Sequence, residues 1–384
     1  MDRQLAIYEA GTRQVRPRLP IALEELKEQA REATTREAWG FLAGGAGAGD
    51  TMRANRRAFG RWHLMPRMLR DVSQRDLSVE VCGQRLPCPI LLAPIGAQGI
   101  YHAEGELATA RGAVEAGLGL VLSTVSSQPL EAVAEAMGDL PHWFQLYWCR
   151  DRDLTASLVE RAEKAGFGAI VLTLDVPLLA WREPDLENAY LPFLYGDGVG
   201  SFFTDPVFRS RLERSPEEDP AAAIRLFTRV FGDPSLSWDD LDWLRRTTDL
   251  PILLKGILAA DDARRAVDHG VDGIVVSNHG GRQVDGAIAA LDALPEIVRT
   301  VDDRLAVLFD SGIRRGSDVL KAIALGARAV LVGRPYILGL AVDGSAGVEA
   351  VLSNLVADVD LTLGLVGCRS FADLDGEFLK SPRS

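Results

Sequence analysis

The chain has 384 residues, of which 47% are hydrophobic and 25% are charged, as in a globular protein large enough to bury a sizeable core. Lys and Arg total 42 against 54 for Asp and Glu, which gives a net charge of −12. This acidity and the absence of a Lys/Arg run argue against binding to nucleic acid or to a membrane surface. No apolar stretch is long enough to span a membrane and the first residues lack a secretory signal, so we expect a cytoplasmic protein.

Cysteine and histidine are sparse. Cys82, Cys88, Cys149 and Cys368 form no CxxC pair and no disulfide framework, and the five histidines have no metal-like spacing. We therefore expect no metal site and a reducing compartment.

Residues 1–88 precede the first predicted strand. The segment Glu24–Arg36 is amphipathic with a helical period, and a glycine-rich turn follows at Gly44–Gly49. We predict an N-terminal helical cap over residues 1–88.

Eight short runs then follow, each nearly continuous in aliphatic residues, as expected of parallel strands covered on both faces. They are Pro89–Ala93, Gly119–Thr124, His142–Tyr147, Ala169–Asp175, Pro251–Lys255, Gly273–His279, Ala306–Gly312 and Ala329–Arg334. Stretches of helical period lie between them, including Glu106–Ala116, Leu154–Ala165, Asp261–His269 and Gly316–Leu325. The alternation predicts an α/β protein with a (β/α)8 TIM barrel over residues 89–364 and a C-terminal tail over residues 365–384.

Residues 176–235 separate the fourth predicted strand from the helix that should follow it. The segment is too long for an ordinary connection and is rich in Pro, Gly, charged and aromatic residues. We predict a long loop that acts as a lid or contacts the substrate.

Polar or glycine residues stand at the end of nearly every predicted strand. In a barrel all eight carboxyl ends meet at one face, which is where such enzymes hold their active sites. Turn formation alone would explain Gly and Ser there, but not Gln145, Lys255, His279 and Arg334. We therefore predict a composite polar site at this face.

The ends of the last two strands predict a phosphate site. The motif DSGIR (residues 310–314) closes the seventh strand, and GRP (residues 333–335) closes the eighth. Glycines after these two strands allow close approach of a phosphate, and Arg314 and Arg334 would add charge-assisted contacts. The alternative is a structural glycine pair with two surface arginines.

The motif SNHGGRQ (residues 277–283) ends the sixth strand. His279 can take up a proton near neutral pH, and Arg282 can hold a carboxylate in a bidentate fork. A lone histidine at a strand end is more often structural, but the glycines and the arginine around it favour a functional role.

In combination, SNHGGRQ, FDSGIRRGSDVLKAIALGA, LVGRP, FQLY and LTLDVP resemble the FMN-dependent L-2-hydroxy-acid oxidising family, which includes glycolate oxidase, lactate oxidase and mandelate dehydrogenase. The resemblance extends roughly from Glu24 to Phe371. Within the insert, WREPDLENAYLPFL and TDPVF are most similar to the lactate 2-monooxygenase branch. The resemblance implies FMN as cofactor, oxidation of an L-2-hydroxy acid to the 2-oxo acid with O2 as electron acceptor, and a homotetramer or homo-octamer. Oxidative decarboxylation of the product is a further implied outcome.

Matched position by position, the resemblance also assigns roles to residues. The flavin site falls on Pro94, Ile95, Gly96, Thr124, Gln145, Thr173, Lys255, Ser277, Asp310, Gly312, Arg314, Gly333 and Arg334. The catalytic base matches His279 and its orienting carboxylate matches Asp175. The phenol at the substrate oxygen matches Tyr147, and the carboxylate-binding arginines match Arg182 and Arg282.

Two positions bear on the choice of reaction. Phe41 stands where the family usually has a tyrosine that donates a hydrogen bond to the substrate carboxylate, so another donor such as Tyr101, Tyr190 or Tyr195 would have to replace it. This departure leaves lactate and a larger or aromatic hydroxy acid, as in mandelate or hydroxymandelate oxidation, both open. Many oxidase relatives have alanine at the position of Gly96, and we expect the missing methyl group to leave room beside the reactive edge of the flavin.

Three alternative functions are compatible with parts of this sequence. A dehydrogenase of the same fold would pass electrons to a quinone or a carrier protein. A non-catalytic flavin-binding protein would be expected to lack His279, Arg282 or Lys255, and all three are present. A phosphate-binding barrel without flavin would be colourless.

Overall fold

A computed structural model describes residues 2–381. Eight parallel strands close into a barrel, which confirms the predicted (β/α)8 fold. The strands are Ile90–Leu92 (β1), Gly119–Ser123 (β2), His142–Leu146 (β3), Ile170–Thr173 (β4), Ile252–Ile257 (β5), Gly273–Val276 (β6), Ala306–Phe309 (β7) and Ala329–Val332 (β8). Each pairs with the next along the chain, and β8 pairs with β1 to complete the ring. The polar ends of the predicted runs lie in the loops that follow.

A helix follows each barrel strand, directly or after further short segments. These helices are Gly105–Glu115, Leu130–Met137, Arg152–Lys164, Leu241–Thr247, Ala260–Asp268, Ala290–Val301, Gly316–Ala324 and Arg334–Leu365. The last of them is broken at Asp343 and Gly344, whose backbone angles are not helical.

Alternate residues of the strands face the inside of the barrel. One buried cluster contains a residue from every strand: Leu91, Val121, Trp143, Val171, Leu253, Val275, Leu308 and Leu331. The residues between them pack outward against the helices. Because side chains alternate along a strand, the residue two positions after each inner residue also faces inward, toward the carboxyl-end mouth. A hairpin of Val79–Val81 and Gln84–Leu86 closes the opposite end, with Val81 and Leu86 in the inner cluster.

The N-terminal region is helical, as predicted, but it is divided differently. Its helices are Asp2–Thr12, Leu23–Ala33, Arg36–Ala43 and Asp50–Gly60. The single helix predicted at Glu24–Arg36 is therefore wrong at its end, because Thr35 begins a new helix by accepting a hydrogen bond from the Ala38 backbone N–H. A short strand, His63–Leu64, then pairs with Leu379–Lys380 at the other end of the chain. The division of the chain at residues 88 and 364 stays a prediction.

The long segment predicted between β4 and the helix Leu241–Thr247 is present, but it contains four short α-helices that were not predicted. Its helices are Glu183–Glu187, Gly200–Phe203, Pro206–Ser210 and Pro220–Val230. Two of them start at Asp-Pro pairs, in which Asp205 and Asp219 accept hydrogen bonds from the first-turn N–H groups. Proline at the first helical position after an aspartate is a helix-start signal, and it would have revealed these helices in the sequence.

Short 3-10 helices complete the secondary structure. They are Gln98–Ile100, Pro192–Tyr195, Trp238–Asp240, His279–Gly281, Phe371–Asp373 and Gly376–Phe378. Within residues 2–381, no helix is both long and apolar enough to cross a membrane. The same residues contain no group of three or more His, Cys, Asp or Glu side chains that could hold a metal ion.

Candidate active site at the mouth of the barrel

A cavity opens to solvent at the carboxyl ends of the strands. The predicted site residues in its wall are Pro94, Ile95, Gly96, Tyr147, Arg182, Lys255, His279, Arg282, Asp310, Gly312, Arg314, Gly333 and Arg334. The other predicted residues, which are not part of the wall, are Thr124, Gln145, Thr173, Asp175 and Ser277. The structure thus brings most of the predicted site together around one space.

Gln145 and Thr173 are the inward-facing ends of β3 and the adjacent β4. The Oε1 atom of Gln145 accepts a hydrogen bond from Ser123 Oγ at 3.1 Å. Its Nε2 atom and the Thr173 Oγ1 atom are buried, and neither has a hydrogen-bond partner in the described chain. Because buried polar atoms are nearly always paired in native proteins, these two are available to a ligand that both donates and accepts hydrogen bonds.

Thr124 is not brought to the cavity, so its predicted flavin contact is corrected. Its hydroxyl donates to the Gln145 carbonyl at 2.5 Å and accepts from the Tyr147 N–H at 2.9 Å, tying β2 to β3. Ser123, one residue earlier, lines the cavity instead. The alternation of inner residues from Val121 would have identified Ser123, because positions 121 and 123 share one face of the strand.

Lys255 is a buried cation at the end of β5. Its Nζ atom lies 3.0 Å from Asp310 Oδ2 and 2.9 Å from Ser277 Oγ. Burial lowers the pKa of Lys255, but Asp310 and Asp175 outweigh it and leave that pKa raised, so the charge is kept. Ser277 therefore contacts Lys255 but does not itself line the cavity. A fixed cation at this place stabilises negative charge that develops on a ligand beside it.

The anion end of the cavity comprises Arg314 and Arg334 with the glycines Gly312 and Gly333. Arg334 donates to the carbonyls of residues 42, 44 and 280, and Arg314 donates to its neighbouring carbonyl at residue 313. Within residues 2–381, neither guanidinium forms an ion pair with a carboxylate. Burial and, to a smaller extent, the charge of Arg56 lower the pKa of Arg314 to about 10. Burial and the charge of Arg282 also lower the pKa of Arg334. Two desolvated arginines that form no ion pair in the described chain are suited to binding a phosphate. This argues against the alternative, in which both are surface arginines beside a structural glycine pair.

His279 forms the proton-accepting part of the site. Its Nδ1 atom lies 2.8 Å from Asp175 Oδ1, which leaves Nε2 as the free ring nitrogen. Burial lowers the pKa of His279 and outweighs the opposite effect of Asp175, so the imidazole is neutral at pH 7. Burial would raise the pKa of Asp175, but the charges of His279 and Lys255 hold it below its ordinary value. A neutral imidazole oriented by a carboxylate is a general base.

Two neighbours hold Asp175 in this position. Gln283, the last residue of the SNHGGRQ motif, donates from Nε2 to the Asp175 carbonyl at 2.7 Å. Gly256 has a φ of +112°, and a Cβ atom there would lie 2.8 Å from Asp175 Cβ. The glycine in β5 is thus required for the close approach of Asp175.

The arginine pair, Arg182 and Arg282, lies beside the histidine in the cavity wall. Arg182 Nε donates to the Arg282 carbonyl at 3.0 Å, and Arg282 Nη1 donates to the Gly44 carbonyl at 2.9 Å. Burial and then Arg282 lower the pKa of Arg182 to about 10. Burial and then Asp175 raise the pKa of Tyr147 to about 12, so its phenol is a hydrogen-bond donor at neutral pH.

Another part of the cavity is an apolar wall, whose residues are Phe41, Val125, Val176, Leu179, Leu191, Phe193 and Phe231. Phe41 meets Phe193 edge to face at 6.4 Å, and the guanidinium carbons of Arg282 and Arg182 lie 5.1 and 6.0 Å from its ring centre. Position 41 therefore faces the same space as the arginine pair. Apart from Phe41, these residues were not predicted, because aromatic residues in the insert do not reveal which of them reach the barrel mouth.

The prediction that the missing methyl group at Gly96 leaves room beside the flavin is wrong. A Cβ atom at this position would lie 2.5 Å from the Val125 carbonyl oxygen and would also overlap the Val125 side chain. The missing methyl group would therefore collide with the β2 loop. Gly96 is needed for close packing of two loops.

The barrel mouth thus combines an anion end, a buried cation, and a histidine that a carboxylate orients beside two arginines. This combination is typical of an enzyme that acts on a small acid with a phosphate-bearing cofactor. The chain matches the FMN-dependent dehydrogenase family over residues 30–381 and belongs to it. It is an oxidoreductase that acts on CH–OH groups, and FMN is its cofactor.

Relatives cover almost the whole chain. An L-lactate oxidase of Nostoc is 47% identical over 363 residues, covering 94% of this chain and 98% of the relative. An FMN-dependent alpha-hydroxy acid dehydrogenase of Penicillium citrinum is 44% identical, with coverages of 98% and 95%. A solved mandelate oxidase variant with (S)-mandelic acid superimposes with a TM-score of 0.83 at 41% identity, covering 95% of this chain and 99% of that one.

The residues present fit FMN. Unpaired buried atoms of Gln145 and Thr173 match a ring edge that both donates and accepts hydrogen bonds, and the anion end matches a phosphate. Lys255 supplies a fixed positive charge in the wall of the same cavity.

Proposed function

We propose that this enzyme oxidises an L-2-hydroxy acid with a large apolar or aromatic side chain to the 2-oxo acid, and that O2 takes up the electrons. The observation that carries the proposal is the placement of a His–Asp pair and two arginines against one apolar wall. The charged groups suit the hydroxy-acid end of the substrate, and the apolar wall suits its side chain.

Each polar residue has a role in this proposal. Arg182 and Arg282 bind the carboxylate, and Tyr147 donates a hydrogen bond to the reacting oxygen. His279 accepts a proton at Nε2, and Asp175 stabilises the imidazolium that results. The substrate loses two electrons and two hydrogens in all, and the carbon that carried the hydroxyl becomes a carbonyl.

FMN, when bound, accepts the two electrons from the substrate. We assign its phosphate to Gly312, Arg314, Gly333 and Arg334. The assigned contacts to the ring are Pro94, Ile95, Gly96, Ser123, Gln145, Thr173 and Lys255. Asp310 and Ser277 hold Lys255 in place and so act on the ring indirectly.

The apolar wall supports a large side chain over lactate. The phenylalanine rings at positions 41, 193 and 231 can pack against a large apolar side chain. The methyl group of lactate is too small to contact all three. Structures of mandelate oxidase with (S)-mandelic acid and with (S)-4-hydroxymandelic acid, at 41% and 42% identity, carry aromatic ligands. Lactate remains the second candidate, because the L-lactate oxidase of Nostoc is 47% identical to this chain.

The substrate is tested by mixing the yellow holoenzyme with single hydroxy acids in the absence of oxygen. Bleaching of the flavin absorbance should be faster, or should saturate at lower concentration, with mandelate or 3-phenyllactate than with glycolate or lactate. Preference for the L enantiomer should hold throughout. A preference for glycolate or lactate would overturn the large-substrate proposal, and no bleaching by any acid would overturn the reaction itself.

The acceptor is tested by reoxidising the reduced enzyme with O2 or with a quinone analogue. Fast reaction with O2 supports the oxidase proposal, whereas reaction with the quinone alone would identify a dehydrogenase. The support for oxidative decarboxylation is the resemblance of the insert to the lactate 2-monooxygenase branch. CO2 without free peroxide would establish that outcome, and stoichiometric peroxide without CO2 would exclude it.

We also propose a homotetramer or homo-octamer located in the cytoplasm. The assembly rests on the family resemblance, and the location rests on the four free cysteines, as in proteins of reducing compartments. Sedimentation of the holoenzyme would test the assembly.

A further inference from the structure

Tyr101 carries a buried hydroxyl with no hydrogen-bond partner in the described chain. The residue follows the 3-10 helix Gln98–Ile100, is 7% exposed and lines the active-site cavity. Tyr336 shows the contrast, because its buried hydroxyl donates to the Ala93 carbonyl at 2.8 Å. An unpaired hydroxyl in the wall of a cavity is costly unless a bound molecule completes it, so Tyr101 points to a ligand contact.

The surroundings of Tyr101 indicate which part of the ligand it meets. Burial raises the pKa of its phenol, and the charges that act on it next are those of Arg282 and Asp185. The hydroxyl is therefore protonated at neutral pH and lies within electrostatic reach of Arg282, one member of the arginine pair. Phe41, by contrast, presents only a ring to the two guanidiniums of the pair.

The other two tyrosines near the insert are less suited to this role. Tyr195 is 67% exposed, and its ring packs against Tyr190 at 5.1 Å. Neither of them is part of the cavity wall. Among the three candidate donors of the sequence, only Tyr101 combines burial, an unpaired hydroxyl and a place in the wall.

We propose that the Tyr101 hydroxyl donates a hydrogen bond to the substrate carboxylate, beside Arg282 and Arg182, as a third member of the carboxylate-binding set. This rests on the proposed function, since it deepens the recognition of a 2-hydroxy acid at the same site. The contact is to the common carboxylate, so it contributes equally to substrates with small and with large side chains.

The test is Tyr101→Phe, which removes the hydroxyl and keeps the ring. Oxalate, an unreactive dicarboxylate, is titrated into the holoenzyme, and its binding is followed by the change in flavin absorbance. We expect about tenfold weaker binding of oxalate and an equal loss in apparent affinity for lactate, mandelate and 4-hydroxymandelate. The flavin content and the Tm should stay unchanged. Tyr195→Phe is the matched control and should leave every value at that of the parent enzyme.

Unchanged oxalate affinity in Tyr101→Phe would overturn the proposal. A loss restricted to 4-hydroxymandelate would also overturn it, because the hydroxyl would then contact the far end of the substrate. An equal loss in Tyr195→Phe would show a non-specific effect and would overturn it as well. Failure of the proposed function would give a different result. The parent enzyme would then bind oxalate, but no hydroxy acid would bleach its flavin.

Discussion

His279 is held between two opposite electrostatic influences. Burial lowers its pKa, whereas Asp175, 2.8 Å away, raises it, and the net effect is a pKa below the ordinary 6.5. A base must be neutral to accept a proton, so the active form of the enzyme is the one present above this pKa.

We therefore expect the rate of flavin reduction per unit substrate to fall on the acid side with an apparent pKa below 6.5. In Asp175→Asn the attraction that raises the pKa of His279 is removed. The acid limb should move to still lower pH, and the plateau rate should drop because the imidazolium loses its partner. Anaerobic stopped-flow reduction between pH 4.5 and 9 measures both, and an acid limb that moves to higher pH would contradict this assignment.

Removing the base altogether should have a larger effect. His279→Gln keeps a polar side chain but cannot take up a proton, and general-base catalysis contributes about 10²–10⁴ in rate. We expect flavin reduction to slow by that factor while FMN stays bound, as read from the absorbance of the purified protein. His63→Gln, at an exposed histidine, is the control. Near-normal reduction in the His279 variant would remove this residue from the mechanism.

Phe41 offers a gain-of-binding experiment. Its ring lies between the arginine pair and Phe193, so a hydroxyl added by Phe41→Tyr enters the same polar region. We expect small hydroxy acids such as lactate to bind up to about tenfold more tightly, corresponding to about 1.4 kcal/mol for one hydrogen bond. The substrate dependence of anaerobic reduction gives the affinity. Equal affinity in both forms would mean either that another donor, such as Tyr101, already satisfies the carboxylate or that the added hydroxyl does not reach it.

At the scale of elements, the strand β5 depends on a glycine. In Gly256→Ala the new methyl group would lie 2.8 Å from Asp175 Cβ, and the backbone would be strained at a φ of +112°. We expect Asp175 to be displaced, with slower flavin reduction, retained FMN and a Tm below that of the parent.

Gly270→Ala separates backbone strain from collision. Gly270 has a φ of +64°, and nothing lies within 4 Å of its added Cβ, so only strain of about 1–2 kcal/mol should result. Its rate of flavin reduction should match the parent. An equally slow Gly270→Ala enzyme would refute the role assigned to Gly256.

The sequence predicted the barrel strands well because parallel strands buried on both faces consist of continuous apolar runs. Gln145, Thr173 and Lys255 were predicted as polar residues at the ends of these runs, and their roles at the flavin came from the family resemblance. The resemblance matched Thr124 to the flavin site, whereas alternation along β2 places its neighbour Ser123 on the inner face with Val121. The apolar wall and the unpaired state of Tyr101 depend on how the insert and the first loop pack against the mouth, which no local pattern encodes.

At the scale of the whole molecule, the anion end couples cofactor binding to stability. Arg314 forms no ion pair with a carboxylate in the described chain, and after burial the largest effect on its pKa is the lowering caused by Arg56. Arg314→Gln should weaken FMN binding by about tenfold or more, since hydrogen bonds to charged groups contribute about 1.5–3 kcal/mol. The Tm of the FMN-free protein should not fall, because an unfavourable buried charge has been removed.

Fluorescence titration of FMN and thermal unfolding with and without FMN measure the two effects. Arg315→Gln, at the exposed neighbouring arginine, is the matched control and should change neither. A lower Tm of the FMN-free Arg314 variant, with FMN affinity unchanged, would indicate a structural role for this arginine.

The pairing of His63–Leu64 with Leu379–Lys380 has a consequence for the time course of biosynthesis. The Met65 N–H also donates to the Phe378 carbonyl at 2.7 Å, so the same N-terminal segment is bound on both sides of the short strand pair. All eight barrel strands lie between the two paired segments in the chain. The closure of the N-terminal region therefore waits until the whole barrel has been synthesised, even though N-terminal regions generally begin to fold during synthesis. Truncation before Leu379 would leave that region without its partner strand.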